Sequence, residues 1–154
     1  MRNYRARGIT ADGKPIFDEA HEHIIVADWL TMHGVFFIHV PMGEKRPGFY
    51  KETPDGKKKW ISPTGKKLKR MGARAGVVDF LIFDPPPIAT GYPRGTVLEI
   101  KALDGAKPTP EQIQFLWDMD ARGYAAQWWR GSDAAIKWLQ SLGYGRRSEV
   151  NDHG

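Results

Sequence analysis

The chain has 154 residues, a formal net charge of +5 and a hydrophobic fraction of 41%, which suits one globular domain with a workable core and favours polyanionic partners. No apolar run approaches a membrane span, and no apolar stretch follows the basic start as in a signal peptide, so the reading is a cytoplasmic protein, neither secreted nor membrane-bound. The absence of cysteine excludes disulfides, thiolate zinc sites and cysteine nucleophiles.

Residues 1–15 are polar and read as an N-terminal arm. Asp18 to His33 reads as a helix: Ala20, Ile24, Ala27 and Leu30 recur at helical spacing, Asp18 can cap the start and Gly34 stops it. Val35 to Val40 reads as a strand ended by Pro41. Residues 42–70 differ in kind. They carry Lys45, Arg46, Lys51, Lys57, Lys58, Lys59, Lys66, Lys67, Lys69 and Arg70, with Phe49, Tyr50 and Trp60 interleaved. Asp55-Gly56 and Thr64-Gly65 are turn signals, so the segment reads as a basic β-hairpin inserted between core elements.

Two apolar strands follow, Val77 to Phe83 and Thr96 to Ala102, joined by a turn-rich stretch with four prolines. Thr109-Pro110-Glu111-Gln112 opens a helix, with Thr109 as N-cap, Pro110 at the first helical position and Gln112 placed for a capping box. Gly123 ends that helix. Tyr124 to Arg130 is a last strand, and Ser132 to Leu142 a last helix before a polar tail from Arg146. The order predicts an α/β domain over residues 16–145, with a mixed central sheet flanked by helices. Trp128, Trp129 and Trp138 read as core or interface residues.

The chemistry lies in the two apolar strands. Asp79 sits in the first, and Glu99 and Lys101 in the second. Charges in such strands are costly to bury unless paired or bound to a metal. Residues at i and i+2 of a strand share a face, so Glu99 and Lys101 project together, and a hairpin brings Asp79 beside them. Two carboxylates and an ammonium at one spot suit a hard divalent cation and a phosphate. Gln112 is also accounted for by the capping box alone. His21 and His23 lie two apart on a helix and cannot chelate together. They read as structural histidines, as does His39 at the end of its strand.

These residues sit in a wider pattern. Gly72-Ala73-Arg74-Ala75-Gly76-Val77-Val78-Asp79-Phe80, then Leu98-Glu99-Ile100-Lys101-Ala102, Thr109-Pro110-Glu111-Gln112 and Gly123-Tyr124 follow one another. Upstream stand Glu19, Trp29-Leu30 and His39-Val40-Pro41. Together, over about residues 18–142, they resemble the VRR-NUC nuclease domain of the PD-(D/E)XK superfamily. Val78 departs from the proline that often precedes the aspartate, and Met42 from a position that tends to be polar.

The resemblance implies a restriction-endonuclease-like fold and an endonuclease dependent on Mg²⁺ or Mn²⁺. It implies Asp79, Glu99 and the backbone carbonyl of Ile100 as metal ligands. Lys101 would touch the attacking water and the scissile phosphate, with general-base help also open to it, and Gln112 would lie near Lys101. Glu19 is the candidate for an outer-shell or second-metal carboxylate, because its spacing to Trp29-Leu30 fits the family; Glu22, one turn on, is the alternative. Both also suit first-turn acids that complement the helix dipole. The stand-alone phage and bacterial proteins of this type imply a homodimer that cuts branched DNA such as Holliday junctions, in a bacterial or phage-infected cell. Lys57, Lys58, Lys59, Lys66, Lys67, Lys69, Arg70 and Arg74 are the candidate phosphate contacts, and Tyr50 or Trp60 could stack on unpaired bases. A flap, nicking, single-strand or restriction-type nuclease on the same fold is the alternative, as is a non-catalytic DNA-binding module.

Overall fold

The site is carried by a four-stranded mixed sheet, as seen in a computed structural model that describes residues 5–41, 48–89, 91–92 and 94–146. Parts of the expected arm (1–4), basic insert (42–47) and polar tail (147–154) lie outside the described residues. In chain order the elements are β1 (Gly8–Ile9), β2 (Pro15–Ile16), α1 (Glu19–Met32), β3 (Phe37–His39), β4 (Phe49–Glu52), β5 (Lys58–Ile61), α2 (Pro63–Arg70), β6 (Phe80–Ile82), β7 (Thr96–Lys101), α3 (Pro110–Asp120), β8 (Ala125–Arg130) and α4 (Ser132–Ser141).

The expected order of core elements holds, with three local corrections. The arm is not irregular throughout: β1 and β2 pair antiparallel through Gly8↔Ile16, and Arg7 ties them to the molecule by a 2.9 Å ion pair with Asp104. The basic insert is a hairpin plus a helix. β4 pairs with β5 through Tyr50↔Trp60, but Thr64-Gly65 is the first turn of α2 rather than a hairpin turn. Ser62 accepts the Gly65 amide at 3.1 Å and Pro63 occupies the start of the helix, a combination that favours helix initiation over a β-turn. Finally, Asp79 precedes its strand instead of lying within it.

β6 runs antiparallel to both β3 and β7, while β7 and β8 are parallel and joined through α3. Alternation along the strands gives the sheet two apolar faces. Phe80, Ile82, Leu98 and Ile100 face Val26 and Leu30 of α1 and Ala135 and Leu139 of α4. Val78 and Val97 face Leu116 of α3. Each large side chain buried here contributes roughly 1.5–3 kcal/mol. Glu99 shares the α3 face with Val97, two residues before it. A carboxylate is thereby inserted into the core beneath the start of α3.

Candidate active site

Local sequence explains how each polar group reaches one place. Asp18 caps α1 by accepting the His21 amide at 2.8 Å, which puts Glu19 in the first turn. Thr109 and Gln112 form a reciprocal capping box at the start of α3, which sets that helix end over Glu99. The β6–β7 ladder runs as far as Phe80↔Leu98. One residue further, the Asp79 carboxylate accepts the Ile100 amide at 2.8 Å, and Glu99 accepts the Asp79 amide at 3.2 Å. The two acids thus cross-brace the end of the strand pair, so Asp79 stands at its mouth and not inside it.

The result is a cleft of about 410 Å³ lined by Glu19, Ala20, His23, His39, Pro41, Asp79, Lys101 and Gln112. Asp79 and Glu99 are buried, at 5% and 0% exposure. The Lys101 ammonium lies 2.6 Å from Glu99 and 3.5 Å from Glu19. Gln112 donates through Nε2 to Glu99 while its Oε1 accepts the Thr109 amide. Its helix-capping role and its place beside the acids are therefore compatible, because its two amide atoms serve different partners.

The electrostatics follow from burial. Loss of water, then the negative charge of Asp79, raises the pKa of Glu99 to about 7, against the opposing pull of Lys101. Burial opposes the charge on Lys101, but its contacts with Glu99 and then Glu19 outweigh this and raise its pKa. With no cation beside it, these contacts favour the protonated form of Lys101. The two neighbouring acids Asp79 and Glu99, with one ammonium beside Glu99, are a donor set that fits a divalent cation. The raised pKa of Glu99 follows from negative charge that Lys101 only partly offsets.

The structure separates Glu19 from Glu22. Glu22 is 2% exposed and accepts the Ser132 amide at 2.7 Å. That amide opens α4, whose N-cap residue, Gly131, has a positive φ of 76° and no side chain to cap with. Glu22 is therefore the borrowed cap of α4 and complements its dipole. Glu19 is the α1 carboxylate that faces the cleft.

Other expected residues fall elsewhere. Arg74 lines a separate cleft beside α3 with Glu111 and Asp118. Lys58 and Lys59 lie on β5, and Lys66, Lys67, Lys69 and Arg70 on α2, all exposed. Lys57 pairs with Asp55 at 3.6 Å in the hairpin turn.

His23 and His39, read from the sequence as structural histidines, both line the cleft. His23 Nε2 lies 3.2 Å from Asp79 Oδ2 and 3.3 Å from the Ile100 carbonyl, and its Nδ1 lies 3.1 Å from His39 Nε2. Burial opposes protonation of His23, but the Asp79 hydrogen bond and charge outweigh it and raise its pKa. Burial, then the neighbouring His23, lowers that of His39. A signal was present: Glu19 and His23 are separated by four residues and share a helix face. The neighbour of His23, His39, comes from a strand that sequence spacing does not link to that face.

No protein-family model matches the sequence, and no curated protein matches it. One solved structure, described as a VRR_NUC domain protein, superimposes with a TM-score of 0.55 over 84% of this chain and 93% of its own, at 23% identity. Its agreement in extent and topology is one of fold. The chain thus has the VRR-NUC fold, a restriction-endonuclease-like mixed sheet between helices, with its buried acids at the end of the β6–β7 pair.

Proposed function

We propose that this protein is a divalent-cation-dependent endodeoxyribonuclease that hydrolyses phosphodiester bonds in branched DNA. The carrying observation is the convergence of Glu19, Asp79, Lys101 and Gln112 in one cleft above the buried Glu99. Asp79, Glu99 and the Ile100 carbonyl are the groups that would hold Mg²⁺ or Mn²⁺; such an ion lowers the pKa of a bound water and offsets charge on the phosphoryl oxygens. Lys101 supplies a second positive charge for the scissile phosphate, with its ammonium fixed by Glu99 and Glu19. Gln112 orients Glu99 from the end of α3. Glu19, 42% exposed in its side chain, is open to solvent at the cleft and suits an outer contact.

The basic hairpin and α2 support DNA as the substrate. Exposed lysines neutralise phosphates without reading sequence. Tyr50 and Trp60 pack edge to face at 4.9 Å and stay 68% and 47% exposed, as bases at a branch point require of a stacking platform. Branched DNA as the preferred target, a homodimeric state and a cytoplasmic setting are carried by the family resemblance. Among the described residues, no helix is long and apolar enough to cross a membrane.

The test is cleavage of labelled four-way junction, flap, single-stranded and linear DNA with Mg²⁺ or Mn²⁺, with Lys101→Ala as the control and the molar mass measured in parallel. Junction cutting by the wild type, and its loss in Lys101→Ala with retained binding, supports the reading. Equal cutting of all four substrates refutes the junction preference. Binding without cutting by the wild type leaves a DNA-binding module instead.

A further inference from the structure

Beside the oxygen donors of the cleft stands a second set of ligating atoms of a different chemical kind. His23, His39 and Asp79 each offer one atom within 4.8 Å of the other two. They come from α1, β3 and the residue before β6, so the fold and not local sequence assembles them. Facing imidazole nitrogens 3.1 Å apart share at most one proton between them, so at least one lone pair is directed at the gap. That separation is close to the edge of a tetrahedron with metal–nitrogen bonds of about 2.0–2.1 Å. The other nitrogen of His23 is held by the Asp79 carboxylate and the Ile100 carbonyl, and outer contacts of this kind fix the ring orientation of metal-bound histidines. Phe80 packs edge-on against His23 at 5.8 Å and tilted against His39 at 5.0 Å, which restrains both rings. His39 is exposed, leaving an open side for water ligands.

We infer that His23 Nδ1 and His39 Nε2 form a nitrogen-rich cation position next to the oxygen-lined one, with Asp79 as the outer carboxylate on the far nitrogen of His23, and that it takes a transition-metal dication of the Co²⁺ or Zn²⁺ kind in preference to Mg²⁺. Imidazole suits such ions, whereas Mg²⁺ prefers oxygen and retains its water. The inference goes beyond the nuclease reading and meets it at Asp79 and the Ile100 carbonyl: an ion drawing on those two groups competes for the acceptors that hold His23.

The probe is Co²⁺ alone, titrated into the full chain without Mg²⁺ and followed by its visible absorption. The wild type is expected to bind Co²⁺ with a spectrum of nitrogen ligation. His39→Ala and His23→Ala are expected to weaken binding about tenfold or more and to lose that spectrum, whereas Glu99→Gln keeps it. Because His39 is exposed, its variant reports on binding without a folding ambiguity. Unchanged Co²⁺ affinity in His39→Ala overturns the inference, as does loss in Glu99→Gln with retention in His39→Ala. Failure of the wild type to cut DNA in Mg²⁺ would instead refute the nuclease reading and leave the Co²⁺ result standing.

Discussion

Glu99 is completely buried, and its raised pKa makes a quantitative prediction about the metal-free fold. An unfolded glutamate releases its proton near 4.5, whereas folded Glu99 holds it to about 7. Between those values the native state binds more protons than the unfolded state, so stability from this group falls as pH rises and levels off above about 7. Integrated from about pH 5 to about pH 8, the difference amounts to about 2–3 kcal/mol. Glu99→Gln removes the titration while keeping the shape. Its altered contacts with Gln112 and Lys101 add a constant offset, which cancels when the variant and the wild type are compared at two pH values. The measurement is urea unfolding of both proteins in chelator across that range. The variant should gain about 2–3 kcal/mol on the wild type between the two ends. Saturating Mg²⁺ or Mn²⁺ at the alkaline end should stabilise the wild type and not the variant. A gap between variant and wild type that is the same at both pH values would refute the assignment of Glu99 as an undercompensated buried acid.

Three further perturbations separate roles that lie close in sequence. Glu22→Ala should cost about 1–3 kcal/mol of stability by leaving the Ser132 amide uncapped, whereas Glu19→Ala should leave stability within about 0.5 kcal/mol and reduce cleavage; equal thermal destabilisation by both would refute the division. Neutralising Lys66, Lys67, Lys69 and Arg70 together should flatten the salt dependence of DNA binding, the logarithmic slope falling by about 0.9 for each residue that contacts a phosphate; an unchanged slope would remove α2 from the interface. Gly76 has φ +76°, and a Cβ there would lie 2.5 Å from the Glu111 backbone, so Gly76→Ala should destabilise by about 1–3 kcal/mol, and a neutral result in chemical denaturation would show that the 73–79 segment and the start of α3 are not held together as described.

Sequence by itself determined what is written in short-range patterns. The capping box of α3, the Asp18 cap of α1, the two-residue phase of Glu99 and Lys101 and the turn between β6 and β7 all depend on neighbours within a few residues, where helix and strand geometry leave few choices. They were enough for the element order and for the meeting of Asp79 with Glu99 and Lys101. Local pattern was misleading where a stronger partner lay nearby, as at Ser62 and Pro63, which convert Thr64-Gly65 from a turn into a helix start. Only the tertiary structure decided between Glu19 and Glu22. Both occupy the first turn of α1, and the difference arises because α4, 110 residues away, presents an uncapped amide to one of them. Likewise, only the packing of α1 on the end of β3 and β6 brings His23 to His39 and Asp79. Sequence periodicity tells which residues share the face of one element, whereas contacts between side chains of different elements depend on how those faces are docked, and that is set by the whole core.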